Sequence, residues 1–549
     1  MPGALIGRRS SFRAFKELVY PPGIMQQQSS RFKWCVRLLV ATALFLSGLV
    51  SMGSAQAAPN TLETLDTDSS AFPRACREPL TFIKKLRPEA ERELQFVRLA
   101  GEVVDLDTWR ALGGPVEINS WQLMFHSLGW LIPVARSAPS IAVQRVVDHA
   151  RAFPDPGFPT ARGDAGLAWT EGQIRRRLVT IQCLHKLTGD QRLIPIAMQL
   201  GDAIMDDQRY RGWPLYRPHN HGAQAILQLT AAGRHFDRPD WVAKSQLRAR
   251  EDSARAFDAC GMPGEQSSSY AWLNVTLWSR IARVTNIPEP RFASQAVRSL
   301  VRPDGFLEPI GDGKARNKPP SGATLWCPEL GWAAGTDNGT HYSIRFGSSR
   351  QIHGHDDHGS ITWFAAGVPV LTERATASNL TPKAKATSSR ASSHSVFEVE
   401  GRKKVPAMTG ERRGPRTFIL ETSEPVPHTR TVTIGDRQLR VHDRASTSGD
   451  SGRWIQHWQL DARWQPVSGL PGRFTDSMGN RLSIDCRLDG TALPVRAVEV
   501  VSYVDQSSPA LAWDAQCRTT GTDVDITTVI SLTPADPRAV VGRGSAPAR

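Results

Sequence analysis

The chain has 549 residues, with 67 Lys and Arg against 53 Asp and Glu, a net charge of +14, and 40% hydrophobic and 22% charged residues. The hydrophobic share is too high and the charge too mixed for a disordered chain, and at about 100–200 residues per domain the length holds two or three domains. Composition and pattern exclude a collagen, a small disulfide scaffold and a multi-span membrane protein.

At the N-terminus, Arg31, Lys33 and Arg37 precede an apolar run from Leu38 to Val50, and small residues follow to Ala58. That run is shorter than the ~20 residues that cross a bilayer, and Ala55-Gln56-Ala57 fits the small-residue cleavage rule. Residues 1–57 therefore read as a leader and secretory signal, with Met1 and Met25 both open as the start and the mature chain beginning near Ala58. The leader holds seven Lys and Arg and one acid, Glu17, so the mature chain carries +8. Only 12 of the 67 basic residues are Lys. An Arg-rich exported protein suits carboxylate or sulfate ligands, because the guanidinium fork binds planar anions through paired hydrogen bonds. No basic cluster interleaved with aromatics points to nucleic acid. Once Cys35 leaves with the signal, Cys76, Cys183, Cys260, Cys327, Cys486 and Cys517 remain. None has C-x-x-C spacing, and Cys486 with Cys517, both in strand-like segments, is the one pairing the pattern singles out.

From residue 79 to 284 apolar residues recur three and four apart, which predicts helices over 81–103, 141–153, 171–187, 191–208, 221–236, 241–257 and 266–284. No fixed 34- or 40-residue repeat is present, so helical hairpins wound into an incomplete α/α toroid fit better than a standard solenoid. Within this half, Asn220-His221 opens one helix and Glu265-Gln266-Ser267-Ser268-Ser269-Tyr270 opens another. An amide, an imidazole and a phenol at neighbouring helix starts can neutralise an anion, take a proton and return one. Trp169, Glu171 and Arg176, and Trp213 and Tyr216 just ahead of Asn220, are candidates to stack on a sugar or bind its carboxylate.

A Pro/Gly/Lys-rich stretch, 301–322, separates this half from short alternating runs at 341–346, 360–364, 368–372, 395–399, 417–421, 429–434, 438–442, 454–460, 481–486, 495–503 and 524–530. These read as a large antiparallel β-structure, a sandwich. Residues 388–393 and 446–451 read as exposed loops. The resulting division is leader 1–57, toroid 58–322, β-sandwich 323–535 and a frayed tail 536–549. On a turn between strands stands His353-Gly354-His355-Asp356-Asp357-His358-Gly359-Ser360, with Glu373 and His394 at the ends of the next two strand-like segments. Imidazole and carboxylate are zinc ligands. The string also spells H-x-H-x-D-H, as in metallo-β-lactamase hydrolases, but there a helix follows it, whereas here residues 360–367 alternate like a strand.

Taken in this order, helical half first, the two clusters resemble the heparinase II/III-like polysaccharide lyases, a superfamily that includes oligoalginate lyases. The residues that carry the resemblance are Asn220-His221, the 265–270 string, the 353–360 string, Gly367-Val368-Pro369-Val370-Leu371-Thr372-Glu373 and Ser393-His394-Ser395-Val396. The resemblance implies an α+β multidomain architecture, a toroid followed by an antiparallel β-sandwich with a cleft between them, and β-elimination at a uronic acid of a polysaccharide or oligosaccharide. Under it, Asn220 neutralises the uronate carboxylate, His221 and Tyr270 are acid–base groups, and His353 stands at the edge of the site. His355, Glu373 and His394 are the implied ligands of a structural zinc ion, with Glu373 one methylene longer than the family's usual Asp. Some members carry a further Tyr between the second and third ligands, and residues 375–393 contain none, so endo or exo action stays open. Which residue is the base depends on syn or anti geometry. A non-catalytic glycan-binding protein on the same fold and a metal-dependent hydrolase stand as alternatives. The expected location is secreted or periplasmic, without a membrane span in the mature chain.

Overall fold

The computed structural model describes residues 76, 96–99, 102–105, 110–111, 125–158, 164–211, 220–313, 318–347, 353–374, 386–401, 406–447, 449, 451–505 and 508–536. All belong to the compact unit Thr61–Arg549; the leader falls in the unit Met1–Asn60, outside the described residues. Trp213 and Tyr216 also lie outside them. No helix among the described residues is long and apolar enough to cross a membrane.

The fold class follows the sequence pattern: helices first, antiparallel sheets after. The helix Glu171–Thr188 is central to the first half. Ile174, Leu178 and Ile181 recur at helical spacing and are buried with Ile226 and Leu229 of the helix Asn220–His235 in one core. Gly189, in the left-handed region at φ 68°, ends the central helix by accepting a conformation that a side chain would strain. The disulfide Cys76–Cys183 pins residue 76 to this helix. One expected helix is corrected. Residues 96–105 form the antiparallel pair Phe96–Leu99 and Glu102–Asp105, in register Leu99↔Glu102. Val97, Val103 and Val104 favour strand.

The second half contains a five-stranded sheet in chain order, Thr324–Cys327, Trp332–Asp337, Thr340–Arg345, Ser360–Ala365 and Val368–Leu371, beside a nine-stranded and a four-stranded sheet. The five-stranded sheet is a middle layer. Because successive side chains alternate faces, Trp332 and Ala334 join a core with Ala271, Val297 and Leu300 of the helical side, while Ala333 joins Phe418 and Val432 of the nine-stranded sheet. Burial on both faces explains why every residue of Thr340–Arg345 and Ser360–Ala365 is buried.

Two further disulfides tie these layers. Cys260–Cys327 joins the loop after the helix Pro239–Ser253 to the first strand of the middle sheet. Cys486–Cys517, the pair expected from the sequence, joins the nine-stranded sheet to the four-stranded one. Bonds of this kind persist in oxidising compartments. The loop 388–393, expected to be exposed, is instead folded in. Ala391–Ser393 forms a 3-10 turn, Ser388 and Ser393 are buried, and the Ser393 Oγ donates to the Thr387 carbonyl at 2.8 Å.

Buried polar clusters stabilise the sheets. His457 sits between Asp514, 2.7 Å from Nδ1, and Glu398, 3.1 Å from Nε2. Burial alone would lower this imidazole, but the hydrogen bonds and charges of the two acids outweigh it and push it up to about 9. A raised folded-state value means that the group's contribution is complete below about pH 6.5 and is lost as pH rises through 9. The unfolding free energy in urea is therefore expected to fall by up to about 3 kcal/mol between pH 6.5 and 9.5. The same slope in His457→Gln would count against this origin.

Candidate active site

The site begins at two helix starts. The helix Asn220–His235 opens with a buried Asn220 whose backbone N–H donates to Glu265 Oε1 at 2.9 Å. The next residue, His221, is half-exposed and places Nδ1 3.0 Å from Glu171 Oε2. Glu171 also faces Arg175 Nε at 3.4 Å. A carboxylate at Nδ1 orients an imidazole and turns Nε2 to the opposite edge. Arg176 follows on the same helix. Burial, then Arg175, lowers its guanidinium to about 10, with the charges of Glu171 and Tyr270 acting the other way, which puts Arg176 within electrostatic reach of the phenol.

Tyr270 is presented by the second helix start. Gln266 adopts a left-handed backbone at φ 51°, and the Ser267 side chain caps the helix Ser268–Thr285 by accepting the Tyr270 N–H at 3.4 Å. Ser268 Oγ donates to the Glu308 carbonyl, which ties this helix start to the segment leading into the sheets. One turn on, Asn274 Nδ2 donates both to Glu265 Oε1 at 2.8 Å and to the Tyr270 carbonyl at 2.9 Å.

Across the junction, the turn before the strand Ser360–Ala365 supplies His353, whose ring stacks on Tyr270 with centroids 3.5 Å apart and planes 13° apart. His353 Nδ1 lies 2.8 Å from Asp312 Oδ2, and Nε2 lies 3.6 Å from Glu265 Oε2. Glu265 thus links the start of the Asn220 helix, the Tyr270 helix and the His353 turn. Of the residues singled out in the sequence, Asn220 and His353 meet at Glu265, Tyr270 stacks on His353, and His221, next in the chain to Asn220, is held by Glu171.

Of the expected zinc ligands, Glu373 and His394 are in direct contact, and the His355 ring centroid lies 5.3 Å from that of His394. His355 turns Nε2 to Asp312 Oδ1 at 3.2 Å. Glu373 accepts from Ser360 Oγ at 2.6 Å through Oε1, and its Oε2 contacts His394 Nδ1 directly. The three residues lie side by side, with their ligand atoms engaged by Asp312, Ser360 and one another. Among the described residues, the one group of three with ligand atoms within 4.8 Å is Asp258, Cys260 and Cys327, and its two sulfurs are already a disulfide.

Trp169 is also corrected. It is 3% exposed, its indole N–H donates to the Phe153 carbonyl at 2.9 Å, and Arg177 and Arg209 lie over its ring. It is a core residue, closed to a sugar. Sequence reasoning gave no role to Glu265, Asn274 or Asp312. Glu265 stood inside a quoted string, and Asp312 lay in Gly311-Asp312-Gly313, within the stretch read only as a connection.

Helical array, connecting segment and antiparallel sheets, with the candidate site where they meet, make up a polysaccharide-lyase-like fold. Solved structures share it over most of their length: heparinase III (TM-score 0.66, 12% identity, 88% of each chain) and a mutant of the heparan sulfate lyase HepC from Pedobacter heparinus (0.58, 15%, 86% of each chain). A chondroitinase AC lyase is more distant, at TM-score 0.51 and 9% identity over 86% of this chain and 85% of that one. At such identities the likeness defines the fold. No protein-family model and no curated protein matches the sequence.

Proposed function

We propose that the chain is an exported polysaccharide lyase that cleaves a uronate-containing glycan by β-elimination. The observation that carries the reading is the stack of Tyr270 on His353 beside Asn220 and His221, four proton-handling or hydrogen-bonding groups at one junction. The reaction breaks C5–H and C4–O and forms a C4=C5 double bond. The C5 proton is hard to remove because its carbanion adds charge beside a carboxylate. The Asn220 amide is suited to stabilise that developing enolate, a contribution of about 2.7–4 kcal/mol in comparable oxyanion sites. Tyr270 or His221 takes the proton, and Tyr270 protonates the departing oxygen. Arg176, whose guanidinium feels the charge of the phenol, is suited to bind a substrate anion. The reading routes no step through a metal. Export is supported by the three disulfides and the leader-like N-terminal sequence.

The test is incubation with a panel of uronate glycans, following the far-ultraviolet absorbance of the conjugated double bond. Absorbance is expected to rise with at least one glycan. New reducing ends without that absorbance would replace the lyase by a hydrolase, and binding without turnover would replace it by a glycan-binding protein.

A further inference from the structure

We propose that Asp312 is a positioning residue for the elimination, a single carboxylate that sets both histidines of the His353-Gly354-His355 turn and holds His353 flat against Tyr270. This rests on the lyase reading above. The Asp312 side chain is 2% exposed, with Oδ2 2.8 Å from His353 Nδ1 and Oδ1 3.2 Å from His355 Nε2. An ionised carboxylate only accepts, so Nδ1 of His353 and Nε2 of His355 each turn an N–H to the one group. His353 Nε2 is then the edge facing Glu265.

The backbone locks Asp312 in place. Its N–H donates to the His353 carbonyl at 2.8 Å. Gly311, at φ +62°, is squeezed so tightly that a Cβ there would lie 2.5 Å from both the Gln266 and His353 carbonyl oxygens. The connecting segment is therefore wedged between the start of the Tyr270 helix and the His353 turn. It sets the distance between a phenol carried by the helices and an imidazole carried by the sheets. Among the described residues, Asp312 is the partner of His353 Nδ1, the contact that sets the ring's rotation against Tyr270.

The test is Asp312→Asn, alone and combined with His353→Ala. An amide has one acceptor and one donor end, so it can accept from only one of the two histidines. On a glycan that the unaltered enzyme cleaves, kcat is expected to fall about 100-fold with KM within about threefold, because the ring against Tyr270 loses its fixed position. If Asp312 acts through His353, the double variant loses no more than His353→Ala alone. Equal fold-losses in both backgrounds, or a single variant within about threefold of the unaltered enzyme, would overturn the proposal. A second readout needs no turnover. The imidazole N–H proton resonance of His353 in the full chain, identified by its loss in His353→Ala, is expected to disappear or move in Asp312→Asn. An unmoved resonance overturns the proposal even if no glycan is cleaved, a result that by itself would sink only the lyase reading.

Discussion

Tyr270→Phe is expected to lower kcat by about 10³-fold or more while the protein melts within a degree or two of the unaltered chain. The change removes one oxygen. The ring keeps its stack on His353, and the helix start keeps its Ser267 cap and its Ser268 anchor on the Glu308 carbonyl. The stability difference is therefore no more than one hydrogen bond, about 1 kcal/mol. The chemistry loses the group suited to protonate the departing oxygen. His221, held by Glu171 on the neighbouring helix, can still take a proton but cannot serve both ends of the reaction at once. A Phe variant that keeps more than a tenth of the activity would remove Tyr270 from the mechanism.

The largest loss of stability is expected at Arg430. Its side chain is fully buried and makes four hydrogen bonds: Nε and Nη2 donate to the two oxygens of Asp443 at 2.8 and 2.9 Å, and Nη1 donates to the carbonyls of Gly359 and Ser395 at 2.6 and 3.0 Å. Those carbonyls belong to the end of the His353 turn and to the residue after His394. Asp443 also accepts from His428 and Gln456, each at 2.7 Å. Burial would raise the Asp443 carboxyl, but Arg430 and His428 overcome it and hold the group well below the usual carboxylate range. Arg430→Met removes the cation and strands a buried carboxylate, at a cost of about 3–5 kcal/mol in urea unfolding. A companion Asp443→Leu is expected to recover most of that loss, because the unpaired charge goes with it. Since a depressed carboxyl stabilises above its unfolded value and loses that contribution as pH falls, the difference between Arg430→Met and the unaltered chain should narrow below about pH 4. A single variant within about 1 kcal/mol of the unaltered chain would show that this cluster does not hold the turn.

Much of the architecture was legible because burial in it is periodic. The strand Asp523–Thr533 alternates buried and less buried residues along its length, and the helix Pro139–Ala152 buries Ala142, Val143, Val146 and His149, three and four apart. The pattern failed where the same residue types serve two geometries, as in 96–105, whose valines sit in a hairpin. It failed again at 388–393, where serines that look like a solvated loop are buried by bonding their hydroxyls to backbone. In the site, the histidines, the tyrosine and Asn220 were legible because those residue types are scarce and were clustered. Glu265 and Asp312 were not, because an acid gives the same signal on the surface as between two imidazoles. Trp169 shows the converse: an aromatic at a helix start looks like a platform until two arginines and a carbonyl enclose it.

The bridge between Cys260 and Cys327 closes a covalent ring around the segment that carries Glu308 and Asp312. A protease that nicks this segment between the helix Arg291–Arg298 and the strand Thr324–Cys327 would sever the main chain without releasing either fragment. The two pieces would travel together until a thiol reductant parted them. On the proposed reading of an exported enzyme, such a clasp means that one cut is survivable.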